Sequence, residues 1–213
     1  MSQAVRERRE ARHEHDVSRR TQARQQERAV RARRLRRTRL LWLAALAVLA
    51  VLVGAMLLSS SPSTSALSGP APPFALPSTS GSSVSLADYA GKPVLLYFNE
   101  GTGCDACFYQ MVEIERNLGR FEQLGVAVMP IAANPAAQLQ EELDRFQLDT
   151  PWLSDTDVQV SEAYGMVGRG MHAGLPGHGF VLVDENGSRA WSGEYPSMYI
   201  TADDLLEEIR NRV

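Results

Sequence analysis

Cys104 and Cys107, set three positions apart in Gly103-Cys104-Asp105-Ala106-Cys107, are the only cysteines of this 213-residue chain and its strongest chemical signal. At the start of a helix this spacing puts both sulfurs on one face, within the separation that a disulfide can bridge. A helix N-terminus presents unpaired N–H groups and a partial positive charge, which favour the thiolate of the first cysteine. Cys104 is therefore expected to act as the nucleophile, with Cys107 as the resolving thiol in thiol–disulfide exchange. A purely structural disulfide is the competing reading, but so small a loop would constrain little of the unfolded chain. A metal site would need a further soft ligand, for which His172 and His178 are the only histidines in this half of the chain. No metal and no cofactor is expected. Asp105 between the cysteines and Glu100 just before them are acidic neighbours. Negative charge opposes a thiolate and favours the disulfide, so the couple is expected to be comparatively reducing.

Such a pair must be held by a strand that ends, and a helix that begins, at the same place. The apolar run Pro93–Asn99 (PVLLYFN) reads as a buried strand, and Ala106–Glu122 carries Phe108, Met111, Val112, Leu118 and Phe121 at near-helical spacing. Further on, Val126–Ile131 reads as a strand, Ala136–Phe146 as a helix and Val158–Tyr164 as a short helix. Gly179–Asp184 and Ser188–Ser192 read as strands joined by a tight Glu185-Asn186-Gly187 turn. Thr201 opens a last amphipathic helix to Arg210, with Asp204 placed for a capping box. Alternating strands and helices closed by a hairpin and a helix predict a three-layer α/β sheet, with the folded domain at 74–213.

The net charge of −3 is a sum over unlike parts. Residues 1–39 hold 14 Arg against five acids, +9, which leaves −12 for the remainder. Between them Leu40–Leu58 is 19 residues without a charge or a proline, long enough as a helix to cross roughly 30 Å of hydrocarbon. The long basic segment before it favours an uncleaved signal anchor over a cleaved signal peptide, whose cleavage would fall in Ser59–Ala66. Arg36, Arg37 and Arg39 abut the apolar run, which predicts a cytoplasmic tail at 1–39 and a domain outside the cytoplasm. The tail has no aromatic residue for base stacking, so anionic lipid rather than nucleic acid accounts for its charge. Residues 59–73 (SSSPSTSALSGPAPP) read as a Ser/Pro linker.

Phe74-Ala75-Leu76-Pro77, the stretch Val84 to Phe98 (VSLADYAGKPVLLYF), the cysteine pair and Phe180-Val181-Leu182-Val183-Asp184 together resemble the redoxin group. That group includes the alkyl hydroperoxide reductase/thiol-specific antioxidant family and the membrane-anchored TlpA/ResA-type thioredoxins. The resemblance spans about 70–213 and implies a thioredoxin-like fold, a central mixed sheet flanked by helices. It also implies a cis Leu175–Pro176 bond set against the active-site cysteine, with Pro176 and Thr102 positioning substrate. Peroxiredoxins carry Pro-x-x-x-Thr-x-x-Cys; those places hold Tyr97 and Gly101 here, and Thr102 is one residue closer to Cys104. Gly103 replaces the Trp that usually precedes the first cysteine in the TlpA type.

The sequence thus predicts a membrane-anchored thiol:disulfide oxidoreductase acting on protein thiols or disulfides through an unknown redox partner. The alternative is a thiol peroxidase in which peroxide oxidises Cys104 to a sulfenic acid that Cys107 resolves, with Arg169 able to supply positive charge. A copper chaperone using both cysteines and His172 or His178 is a third reading.

Overall fold

The computed structural model describes residues 38–56, 62–170 and 172–213. The predicted tail falls almost wholly outside these residues. The apolar run forms helix α1, Thr38–Met56, 19 residues with an 18-residue stretch of mean hydropathy 2.2, long and apolar enough to cross a membrane.

The rest is built around β4 (Val94–Asn99), every residue of which is buried. It lies between β5 (Ala127–Ala132), with which it is parallel, and β7 (Gly179–Val183), with which it is antiparallel. β8 (Arg189–Glu194) extends the sheet on one side and the two-residue β6 (Leu153–Ser154) on the other. β4 is covered on both faces, so its run is continuously apolar and its alternate side chains enter different cores. Leu95 and Tyr97 join Phe108, Phe121, Trp152, Phe180, Trp191 and Leu205. Val94, Leu96 and Phe98 join Phe74, Leu76, Tyr164 and Val181.

The predicted helix over 106–122 is two helices, α2 (Asp105–Glu115) and α3 (Leu118–Gln123). Asn117 explains the break: its side-chain amide donates to the Glu113 carbonyl at 2.8 Å, competing for the helical ladder. α4 (Ala136–Phe146) has the predicted bounds, and α5 (Gln159–Ala163) is slightly shorter than predicted. α6 (Ala202–Arg210) starts behind an N-cap at Thr201, whose Oγ1 accepts from the Asp204 amide at 3.1 Å.

The stretch read as a linker contains a strand. β1 (Ser63–Ala66) pairs antiparallel with β8, Ser63 opposite Glu194 and Ala66 opposite Trp191, and forms the sheet edge. Its side chains are exposed, so no apolar alternation marks it; backbone pairing and a Ser65–Ser192 hydroxyl contact at 3.0 Å hold it. Farther along, β2 (Ala75–Pro77) and β3 (Ser83–Ser85) make a separate hairpin.

Candidate active site

Between β4 and α2 the chain runs Glu100-Gly101-Thr102-Gly103-Cys104, and two asparagines shape it. Asn99, fully buried at the end of β4, accepts the Gly101 amide on Oδ1 at 2.9 Å and donates Nδ2 to the Ile131 carbonyl of β5 at 3.3 Å. Asn134, in the loop after β5, accepts the Thr102 amide at 3.0 Å. Gly101 sits at φ +74, and a Cβ there would lie 2.0 Å from Asn134 Oδ1, so both conformation and space require glycine. The segment is thereby pinned to β4 and β5, and Cys104 is delivered to the start of α2.

Cys104 is the N-cap of α2, and its sulfur takes a hydrogen bond from the Cys107 amide at 3.3 Å. The two sulfurs are bonded, with Cα atoms 5.4 Å apart. Cys107 is completely buried while Cys104 retains 6% exposure, so the first cysteine is the more accessible of the two.

Beneath Cys107 lies a hydrogen-bonded chain that neither motif nor spacing indicated. The Tyr97 hydroxyl donates to the Cys107 carbonyl at 3.0 Å and lies 3.1 Å from His178 Nδ1. Its one proton being committed to the carbonyl, Nδ1 must carry the other and donate to the tyrosine oxygen. Burial pushes the His178 pKa down to about 4 and the Tyr97 pKa well up, so both are neutral near pH 7. Among the described residues the buried His178 Nε2 has no hydrogen-bond partner.

Both acids near the cysteines have side-chain partners. Asp105 is ion-paired with Arg145 of α4. Glu100, 3% exposed, bonds His172 Nδ1 at 2.8 Å. Glu100 also braces the glycine-rich loop that carries Pro176: a Cβ on Gly170 would lie 2.4 Å from its Oε1. Pro176 pairs with Val167 in an isolated bridge, and Gly177 donates to the Met166 carbonyl at 2.8 Å. The cis bond expected at Leu175–Pro176 is not present; that bond is trans. Trans is the lower-energy isomer by about 0.5–1 kcal/mol, and the Val167–Pro176 pairing closes this loop without a cis bond.

Thr102 is exposed, and its described contact is the backbone amide on Asn134. Arg169 pairs with Glu194 at 3.1 Å, which commits the cation considered for peroxide. His172 and His178 each turn Nδ1 to a neighbour, Glu100 and Tyr97 respectively. Among the described residues no group of three or more His, Cys, Asp or Glu is arranged to hold a metal ion.

A disulfide at the mouth of the helix that follows the central strand of a mixed sheet defines a thiol-based oxidoreductase of thioredoxin-like fold. Sequence comparison places it more narrowly: residues 67–191 match the AhpC/TSA family, and the chain belongs to that family. "Putative peroxiredoxin Rv2521" of Mycobacterium tuberculosis is 36% identical over 121 residues, 55% of this chain and 77% of the relative. The thiol-disulfide oxidoreductase ResA of Halalkalibacterium halodurans is 34% identical over 94 residues, 44% of this chain and 53% of the relative. In structure the chain is similar to the reduced 2-Cys peroxiredoxin of Plasmodium vivax, with TM-score 0.62 at 19% identity, covering 69% of this chain and 96% of that one. That likeness concerns the fold.

Proposed function

We propose that this chain is a membrane-anchored thiol:disulfide oxidoreductase, with α1 as an uncleaved anchor, its basic N-terminus in the cytoplasm and the redoxin domain outside. The observation that carries the redox reading is the Cys104–Cys107 disulfide at the N-cap of α2, with Cys104 the more accessible residue of the pair and Cys107 fully buried.

In the reducing direction the Cys104 thiolate attacks a partner disulfide; one partner sulfur leaves as thiolate and the other stays bonded to Cys104. Cys107 loses its proton and attacks Cys104 Sγ, which forms the internal disulfide and releases the second partner thiolate. Two electrons pass to the partner, and its two sulfurs leave as thiols once protonated. The Cys107 attack needs only the three-residue geometry already present. Pro176 and Thr102 are proposed to lie along the partner's path, and Asp105 and Glu100 to set the charge at Cys104.

The name of the mycobacterial relative supports a second reading, thiol peroxidase chemistry with Cys104 peroxidatic and Cys107 resolving. Against it stand Gly101 and Tyr97 at the places of the peroxiredoxin Thr and Pro, and Arg169 engaged with Glu194. Insulin reduction and hydrogen peroxide consumption, measured side by side on the detergent-solubilised chain with dithiothreitol as reductant, separate the two. The proposal expects insulin turnover lost in Cys104→Ser and peroxide consumption no faster than in that variant. Cys104-dependent peroxide turnover without insulin reduction would establish the second reading instead. For topology, alkaline phosphatase fused after Val213 should be active, and an inactive fusion would reverse the orientation.

A further inference from the structure

Asp105 is the first residue of α2 and stands between the two cysteines, and its ion pair crosses to Arg145 in the last turn of α4. Arg145 is not a loosely placed surface cation. Its guanidinium carbon lies 4.4 Å from the Phe146 ring centre, Phe146 stacks on Phe108 at 5.0 Å, and Phe108 stacks on the fully buried Trp152 at 4.7 Å. Phe108 directly follows Cys107, so the stack that carries Arg145 is rooted in the same turn of helix as the disulfide. A second guanidinium nitrogen lies 3.4 Å from Glu142. The C-terminal turn of α4 is also a place where the helix dipole favours a cation.

We propose that Arg145 is a positioning residue for the redox pair: by holding Asp105 and cancelling its charge, it lowers the Cys104 pKa and makes the couple more oxidising than the acids alone would. The proposal rests on the dithiol reading above. The half-reaction is Cys104–Cys107 disulfide plus two electrons and two protons giving two thiols; when Cys104 stays ionised, one proton fewer is taken up. A positive charge favours that ionised reduced form, so removing it shifts the equilibrium toward the disulfide. The charged and titratable groups here are Asp105, Glu142 and Arg145 itself, together with Glu100, four residues before Cys104, and its partner His172. Asp105 and Arg145 are more than half exposed, so solvent screens the effect.

The test is the Cys104 pKa, read from thiolate absorbance of the reduced full-length chain in detergent, together with glutathione redox equilibrium at pH 9. Arg145→Gln is expected to raise the pKa by about half a unit and to shift the equilibrium about threefold toward the disulfide, about 14 mV at 29.6 mV per tenfold. Arg145→Lys is expected to restore most of it, Asp105→Asn to shift both in the opposite direction, and the Asp105→Asn/Arg145→Gln double variant to return near wild type. A role in packing alone would lower the melting temperature and leave both readouts unmoved. Wild-type titration in Arg145→Gln, or a downward pKa in it, would overturn the proposal while leaving the dithiol reading intact. A wild-type chain that does not exchange with glutathione at all would remove both.

Discussion

At the residue scale, the chemistry of Cys104 depends on groups that sequence proximity does not reveal. Reading Asp105 and Glu100 as bare acids predicts a reducing couple, but the structure gives Asp105 the Arg145 guanidinium from forty residues away and Glu100 a hydrogen-bonded partner, His172, in the loop after α5. The inference from charge is sound only when every charge at the site is known, and a ±1 count along the chain omits partners brought in by folding. Tyr97 and His178 were equally hidden, because a tyrosine in an apolar strand reads as core and a histidine between glycines as a loop residue. His178 carries a pH prediction. Its folded pKa of about 4 lies below the ordinary 6.5, so between those values the unfolded chain binds more protons. Stability is complete above about pH 6.5 and is lost as pH falls toward 4, by about 3 kcal/mol from this group at 1.36 kcal/mol per unit. Urea unfolding of wild type and His178→Gln from pH 7 to 4 checks it. The wild-type midpoint should fall more steeply than the variant's, and parallel slopes would remove His178 as the cause.

At the scale of elements, the strand–cysteine–helix junction was legible because each part has a local cause. A continuous apolar run makes the buried central strand, the C-x-x-C spacing falls on the helix start, and α4 carries an apolar stripe clear enough to give both its ends. What was not legible depended on side chains acting across the sequence. Asn117 divides one predicted helix into α2 and α3 through a single amide bond to Glu113. Asn99 and Asn134 shape the cysteine loop from two different strands' ends. Gly101→Ala is therefore expected to cost about 1–3 kcal/mol, since it adds strain at positive φ to a clash with Asn134 Oδ1. Asn134→Ala should recover the steric part of that loss when combined with it. Chemical denaturation of the single and double variants measures both, and an unchanged Gly101→Ala stability would contradict the geometry.

At the scale of the whole molecule, the average charge of −3 joins a strongly basic segment to an acidic remainder on either side of an apolar helix. The sequence marks that division plainly, while it misplaces the start of the folded domain. Phe74 opens the apolar pattern, but β1 at Ser63–Ala66 already adds to the sheet, and Leu67 donates to the Ala190 carbonyl at 3.2 Å. Such a strand is invisible to periodicity because it contributes backbone pairing and covers no core. A chain starting at Pro62 should therefore melt several degrees above one starting at Phe74, the latter leaving the β8 edge unpaired and open to association. Equal melting temperatures with both chains monomeric in scattering would show that β1 contributes nothing.

The central claim is that Cys104 exchanges disulfides with protein thiols, and trapping tests it most directly. Cys107→Ser, expressed at the membrane and quenched with N-ethylmaleimide, is predicted to carry another protein in a mixed disulfide on Cys104, reversible with dithiothreitol and absent when Cys104 is also Ser. Cys104 found by mass spectrometry only as the free thiol or as oxygen-containing sulfenic or sulfinic acid, with no protein attached, would contradict the account.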